Sequence, residues 1–168
     1  IASCLVGSEM CIRDRYRPAT NKIIRTLFGP FYSQHDVDIV SDSTISIFNN
    51  NLSRLPKSNY SEDAIEYSST NFENTTINNT AEIVIYNFGD SAFTTLYPAQ
   101  FIKEKIFTET EGTHEILSNG DVFVESQNNG KIYILNNEKV ILRKYINPSE
   151  GGLVEPPHWI RIYETIDI

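Results

Sequence analysis

"EILSNGDVFVESQNNGKIYILNN", residues Glu115–Asn137, is three short apolar runs with turn chemistry between them. The apolar positions recur with a period of two, which places alternate side chains on opposite faces of an extended chain. The bulky residues are Ile, Val, Phe and Tyr, the types that pack well on a pleated surface. "SNGD" at Ser118–Asp121 predicts a two-residue type I′ hairpin, because Asn-Gly accepts positive φ at both central positions. The same patterning continues outward in "VDIVSDSTISIF", "AEIVIYNF" and "KVILRKYI". No segment sustains the i, i+3, i+4, i+7 spacing of an amphipathic helix. "AQFIKEKIF" could form one helical turn, but it alternates well enough to read as a strand. The fold class is all-β.

The strands also repeat. "DIVSDSTISI" (38–47) aligns with "EILSNGDVFV" (115–124), an offset of 77 from Ser41 to Ser118. "IVIYNFGDSAFTTLYP" aligns with "IYILNNEKVILRKYINP", an offset of 49 from Ile83 to Ile132. "KIIRTLFGP" shares its Thr-Leu-aromatic run and closing Pro with "TTLYP", which makes it an earlier copy of the last strand. Each unit is therefore four antiparallel strands ending in a Pro-containing turn. The two offsets differ by 28, so the first unit carries an insertion in the Asn/Ser/Thr-rich stretch 49–80, expected to be a long polar loop. Four-stranded units in series read as β-propeller blades. The chain would hold the outer strand of one blade, two whole blades, and "HWIRIY" as the start of another. An open β-solenoid is the alternative, which the irregular repeat length disfavours.

The first fifteen residues, "IASCLVGSEMCIRDR", do not share this patterning. They contain Cys4, Cys11 and Met10, the chain's whole complement of cysteine and methionine. The apolar run Cys4-Leu5-Val6 is too short for a secretory signal and has no basic residue before it. The C-x6-C pair lacks the partner ligands of a zinc site, since the first histidine is His35. The stretch resembles the translated read-through of a sequencing-library adapter joined to an environmental gene fragment. It is therefore expected to be non-native, with residues 16–168 the C-terminal part of a propeller domain. The opener is charge-neutral, so the net charge of −8 belongs to the remainder. Such an acidic chain is a poor partner for nucleic acid, where Lys and Arg supply the affinity. No run reaches the length of a membrane-spanning helix.

"FYSQHDVDIVSDSTISIFNNN", "EGTHEILSNGDVFVESQNNGKIYILNN", "YINP" and "HWIRIY" together resemble the C-terminal blades of the arylsulfotransferase family. The similarity spans roughly Lys22 to Tyr163, and its most specific piece is Gln-His followed by an alternating strand and an Asn-rich loop. The resemblance implies a six-bladed propeller, periplasmic or secreted in bacteria. It also implies transfer of a sulfuryl group from an aryl sulfate to a phenol, without nucleotide or other cofactor, through a covalent histidine intermediate. Cationic or N–H donors for the sulfate oxygens complete such a site.

His35 matches the family's Gln-His position and is the candidate catalytic residue, holding sulfate or handling a proton. Strand alternation places it on one face with Val37 and Ile39, leaving Asp36 and Asp38 on the other. His114, in the corresponding strand of the next unit, and Arg54, after the Asn-rich run, are the candidate substrate-binding residues. The bland readings are a structural histidine and a solvated loop arginine. The family's sulfuryl-carrying histidine is expected near "FTETEGT" (107–113), which contains none, so catalytic competence is in question. The alternative is a propeller that binds a protein or glycan partner. Expressed alone, the chain is expected to be inactive.

Spaced carboxylates at Asp36 and Asp38 invite a calcium reading. They alternate with apolar residues on a strand, so solvent-facing or turn-bonding roles are expected and no metal site is assigned. Trp159, beside His158, reads as packing between blades. Asn51, Asn59, Asn74 and Asn78 head N-x-[ST] sequons that read as chance matches.

Overall fold

The computed structural model describes residues 12–56, 72–76 and 80–145, together with 160 and 162. Strands β1 (Ile12–Arg17) and β2 (Lys22–Phe28) form an antiparallel pair. They are followed by two four-stranded antiparallel sheets. The first takes β3 (Gln34–Ser41), β4 (Thr44–Asn49), β7 (Glu82–Asn87) and β8 (Ala92–Leu96), in that order. The second takes β9 (Gly112–Ile116), β10 (Val122–Ser126), β11 (Lys131–Leu135) and β12 (Val140–Tyr145). This up-and-down order within each sheet is that of a propeller blade, and the architecture is a partial β-propeller.

The repeat is carried into the register. Phe48 lies opposite Ile83 in the first sheet, and Glu125 lies opposite Ile132 in the second. Both pairs join the second strand to the third, so offsets 77 and 49 mark equivalent strands and, in these two strands, equivalent positions. In the first strand the register shifts change the offset, and Ser41, opposite Thr44, corresponds to Leu117, which pairs with Asp121, and not to Ser118. "KIIRTLF" forms the second strand of the β1–β2 pair, in keeping with its reading as an earlier outer strand.

Two hydrophobic clusters flank the first sheet. Phe48, Ile83, Phe101, Val122, Val124, Tyr133 and Leu135 pack between the two blades. Leu27, Phe31, Ile47, Val84 and Tyr86 pack on the opposite face. Adjacent residues Ile47 and Phe48 serve different clusters because successive strand side chains point to opposite faces.

Three expectations are corrected. The stretch 98–104 is helix α1 (Pro98–Glu104), with Pro98 in the first turn, where its missing N–H and fixed φ do no harm. Lys105 closes it in a left-handed conformation, and Phe101 is buried in the inter-blade core. The Ser118–Asp121 hairpin is not type I′. Gly120 N–H donates to the Leu117 carbonyl, and φ is positive at Gly120 (85°) but not at Asn119. This is a three-residue loop built on a type I turn with glycine at the left-handed position.

The segment 49–80 is not wholly loop. Strands β5 (Leu52–Pro56) and β6 (Phe72–Thr76) pair as an antiparallel hairpin between β4 and β7. Ile12–Arg15, the end of the opener, form part of β1, opposite Phe28, Leu27, Thr26 and Arg25. The Arg15 guanidinium sits 5.0 Å from the centre of the Phe88 ring. Residues 1–11 lie outside the described residues, as do His158, Trp159, Asn59 and Asn78.

Candidate functional site

The site is organised by a break in the β3 ladder. His35 pairs with Phe48 and Val37 pairs with Ile47, so the register with β4 steps over Asp36. This is a β-bulge, with Asp36 at a φ of 28°. A bulge shifts the side-chain alternation by one. His35 therefore shares a face with Phe48, while Val37 turns to the opposite face and packs beside Ile47 and Val84. Sequence alternation placed His35 and Val37 together; the extra residue separates them. A positive φ is uncommon for a non-glycine residue and persists where the surroundings enforce it.

The surroundings here are the next blade. Asp36 Oδ2 accepts the His114 backbone N–H at 2.8 Å and lies 3.3 Å from His114 Nδ1. The Asp36 side chain is only 6% exposed, and that of His114 is fully enclosed. His114 Nε2 is 2.7 Å from Ser46 Oγ on β4, and the ring lies 6.3 Å from that of Phe48. Asp38, opposite Ser46, brings a second carboxylate to the same place. The solvent-facing reading of Asp36 and Asp38 is thus overturned: the bulge and the neighbouring blade draw both toward His114.

Ser46, His114 and Asp36 have the connectivity of a nucleophilic relay. Relay catalysis needs an accessible hydroxyl, and Ser46 is completely buried, as is His114. The arrangement clasps two innermost strands together and does not present a nucleophile. His114, expected as a substrate-binding residue, is here a buried inter-blade residue, the bland reading of a histidine within a strand. Register shows why it differs from His35. Thr113 lies opposite Glu125 as His35 lies opposite Phe48, so His35 corresponds to Thr113 and His114 to Val37.

His35 itself is half-buried at the start of the innermost strand of its blade. Arg54 lies on β5 opposite Asn74, within the inserted hairpin. The hairpin is anchored at its base by Asn49. That side chain accepts the Tyr32 N–H at 2.7 Å and donates to Glu82 at 2.8 Å, Asn51 at 2.7 Å and the Pro30 carbonyl at 3.2 Å. Asn51 is 2% exposed and donates to the Thr80 carbonyl, so its sequon is enclosed. The Asn-rich run thus ties the blade entry to the insertion, a role that composition alone did not reveal. In the second blade the stretch 107–113 is held by Thr108, whose hydroxyl contacts the Glu111 carbonyl and Asn128.

A four-stranded blade order, Gln34-His35 at the head of an innermost strand and an Asn-rich exit from β4 are now in place together. The profile of the arylsulfotransferase (ASST) family matches residues 7–147. The chain belongs to the arylsulfotransferase family. The matched span covers both blades, the bulge at Asp36 and the inserted hairpin of this family member. Searches of curated proteins and of solved structures returned no match.

Proposed function

We propose that this arylsulfotransferase-family chain contributes to a site transferring a sulfuryl group from an aryl sulfate to a phenolic acceptor, in a periplasmic or secreted protein. The observation that carries the reading is the position of the family's Gln-His pair. His35 opens an innermost strand, half-buried, on the face turned toward the next blade. In a propeller, the ends of such strands surround the central channel.

The chemistry breaks the S–O bond to the donor phenol and forms a bond from sulfur to the enzyme nucleophile, and the departing phenolate takes up a proton. The acceptor phenol then loses its proton as its oxygen displaces the enzyme from sulfur. His35 is suited to binding a sulfuryl oxygen or passing one of those protons. Arg54 would offer a cation to the sulfate oxygens from the inserted hairpin. The sulfuryl-carrying nucleophile is not assigned to a residue of this chain. A binding propeller is the second reading, favoured by the 107–113 stretch, which has no histidine and is taken up by the Thr108–Asn128 contacts.

In the natural protein that carries this sequence, His35→Ala is expected to lower turnover at least about 100-fold, the usual scale for such a group. The measurement is release of a chromogenic phenol with a second phenol as acceptor. Full activity in the alanine variant removes His35 from the mechanism. No transfer by the wild-type protein favours the binding reading.

A further inference from the structure

We propose that Asp36, Asp38 and His114 form a divalent-cation site of the manganese or zinc class, bridging the innermost strands of the two blades. One ligand atom from each of the three residues lies within 4.8 Å of the other two. Ions with metal–ligand bonds of about 2.0–2.2 Å separate their ligands by about 3–4.4 Å, so the cluster needs only a small contraction. Two carboxylate oxygens and an imidazole nitrogen are donors that suit these ions.

The independent observation is the histidine. His114 is fully buried, its Nδ1 has no hydrogen-bond partner among the described residues, and that nitrogen lies 3.3 Å from Asp36 Oδ2. Ser46 Oγ occupies the other ring nitrogen at 2.7 Å. A metal-bound histidine ordinarily has its second nitrogen held by such a partner, which sets the tautomer and the ring orientation. In the tautomer whose Nε2–H donates to Ser46, Nδ1 is left as an acceptor 3.3 Å from Asp36 Oδ2, with the Asp38 carboxylate in the same cluster, an arrangement that a cation would satisfy. The bulge at Asp36, with its positive φ, supplies what the ladder alone could not: a carboxylate turned off the sheet toward the next blade. The site would join β3 to β9, elements 78 residues apart at Asp36 and His114. It is independent of the sulfuryl-transfer reading and needs no substrate.

The test uses the 168-residue chain freed of metal by a chelator and titrated with Mn2+, following the solution EPR signal of the free ion. Mn2+ is chosen because Cys4 and Cys11 would compete for zinc. A single equivalent per chain is expected to bind, raising the thermal midpoint of the protein. Asp38→Asn and His114→Gln should each weaken binding by more than about tenfold, and Ser46→Ala, which leaves the ligands in place, by about tenfold. Asp38 is only half-buried, so its variant keeps the test valid where His114→Gln fails to fold by circular dichroism. Failure of the wild-type chain to deplete free Mn2+ overturns the proposal. Binding that persists unchanged in Asp38→Asn places the ion elsewhere and overturns it equally.

Discussion

The two blades have one register and two different faces. Phe48 and Glu125 are equivalent in position, each the second-strand partner of a third-strand isoleucine. Phe48 faces the second blade from the first and is completely buried in the shared core. Glu125 is as deeply buried, but its Oε2 accepts from the Thr113 hydroxyl at 2.9 Å and from the Ile160 N–H at 3.2 Å. Glu115 likewise receives the Ile162 N–H at 3.2 Å. One blade face is therefore closed by an aromatic ring and the other by carboxylates reaching the backbone of the chain that follows. Backbone pairing makes the blade, and a few side chains at fixed register positions decide what each blade adheres to.

The sharpest way to break this comparison is to remove the ring. Phe48→Ala is expected to destabilise the fold by about 3–5 kcal/mol, the scale for an aromatic lost from a packed core. Chemical denaturation followed by circular dichroism measures it. A cost near that of a surface substitution would show that the two blades do not share a core. Gly112 is a companion site, since a Cβ there would overlap the Phe48 ring. Gly112→Ala should cost about 1–3 kcal/mol through overpacking.

The next largest effect should fall on the blade entry. Asn49→Leu strips the carboxamide from Tyr32, Asn51, Glu82 and Pro30 together, for an expected loss of about 2–3 kcal/mol. It should also speed proteolysis within the inserted hairpin, read by limited digestion. The second blade has no such insertion between β10 and β11, only a 3-10 turn at Gln127–Asn129. An Asn49→Leu chain digested at the wild-type rate would separate the hairpin from its proposed anchor.

Asp36→Ala follows, with an expected cost of about 1–3 kcal/mol for leaving the buried His114 N–H without its acceptor. Asp36→Gly tests the strain separately. Glycine accepts the positive φ without a Cβ penalty, so it should be no worse than alanine despite its greater freedom when unfolded. A glycine variant clearly less stable than the alanine variant would show that the backbone at residue 36 is not under strain. The smallest effect is expected at the β9–β10 turn. Gly120→Ala, at a φ of 85° and with open space around the added methyl, should cost about 1 kcal/mol of unfolding free energy.

Much of the architecture was legible because it depends on alternation. The offsets from Ser41 to Ser118 and from Ile83 to Ile132 located equivalent strands, since strand pairing converts period two directly into faces. What escaped the reading were places where one residue changes the local rule. An extra residue at Asp36 breaks the alternation without changing the composition of "HDVDIV", so the faces of His35 and Val37 were misassigned. Pro98 reads as part of the turn that ends a blade, and it opens a helix, because proline suits both a turn and the first helical position. Asn-Gly signalled the hairpin correctly but not its loop length, which depends on how Leu117 and Asp121 pair.

The candidate site divides in the same way. The Gln-His pair at residues 34–35 and its family could be read from the chain. The partnership of Asp36, Asp38, Ser46 and His114 could not. Its members lie up to 78 residues apart, and no pattern along one strand records what the neighbouring strand's sheet will bring against it. By itself, the sequence determined the all-β class, the two blades and the register that relates them, because these follow from the spacing of apolar residues and turn formers. Only the tertiary structure decided that two acids on an alternating strand turn toward a buried histidine. That outcome depends on a bulge stabilised by contacts across the blade interface, and such contacts arise only after both sheets have formed.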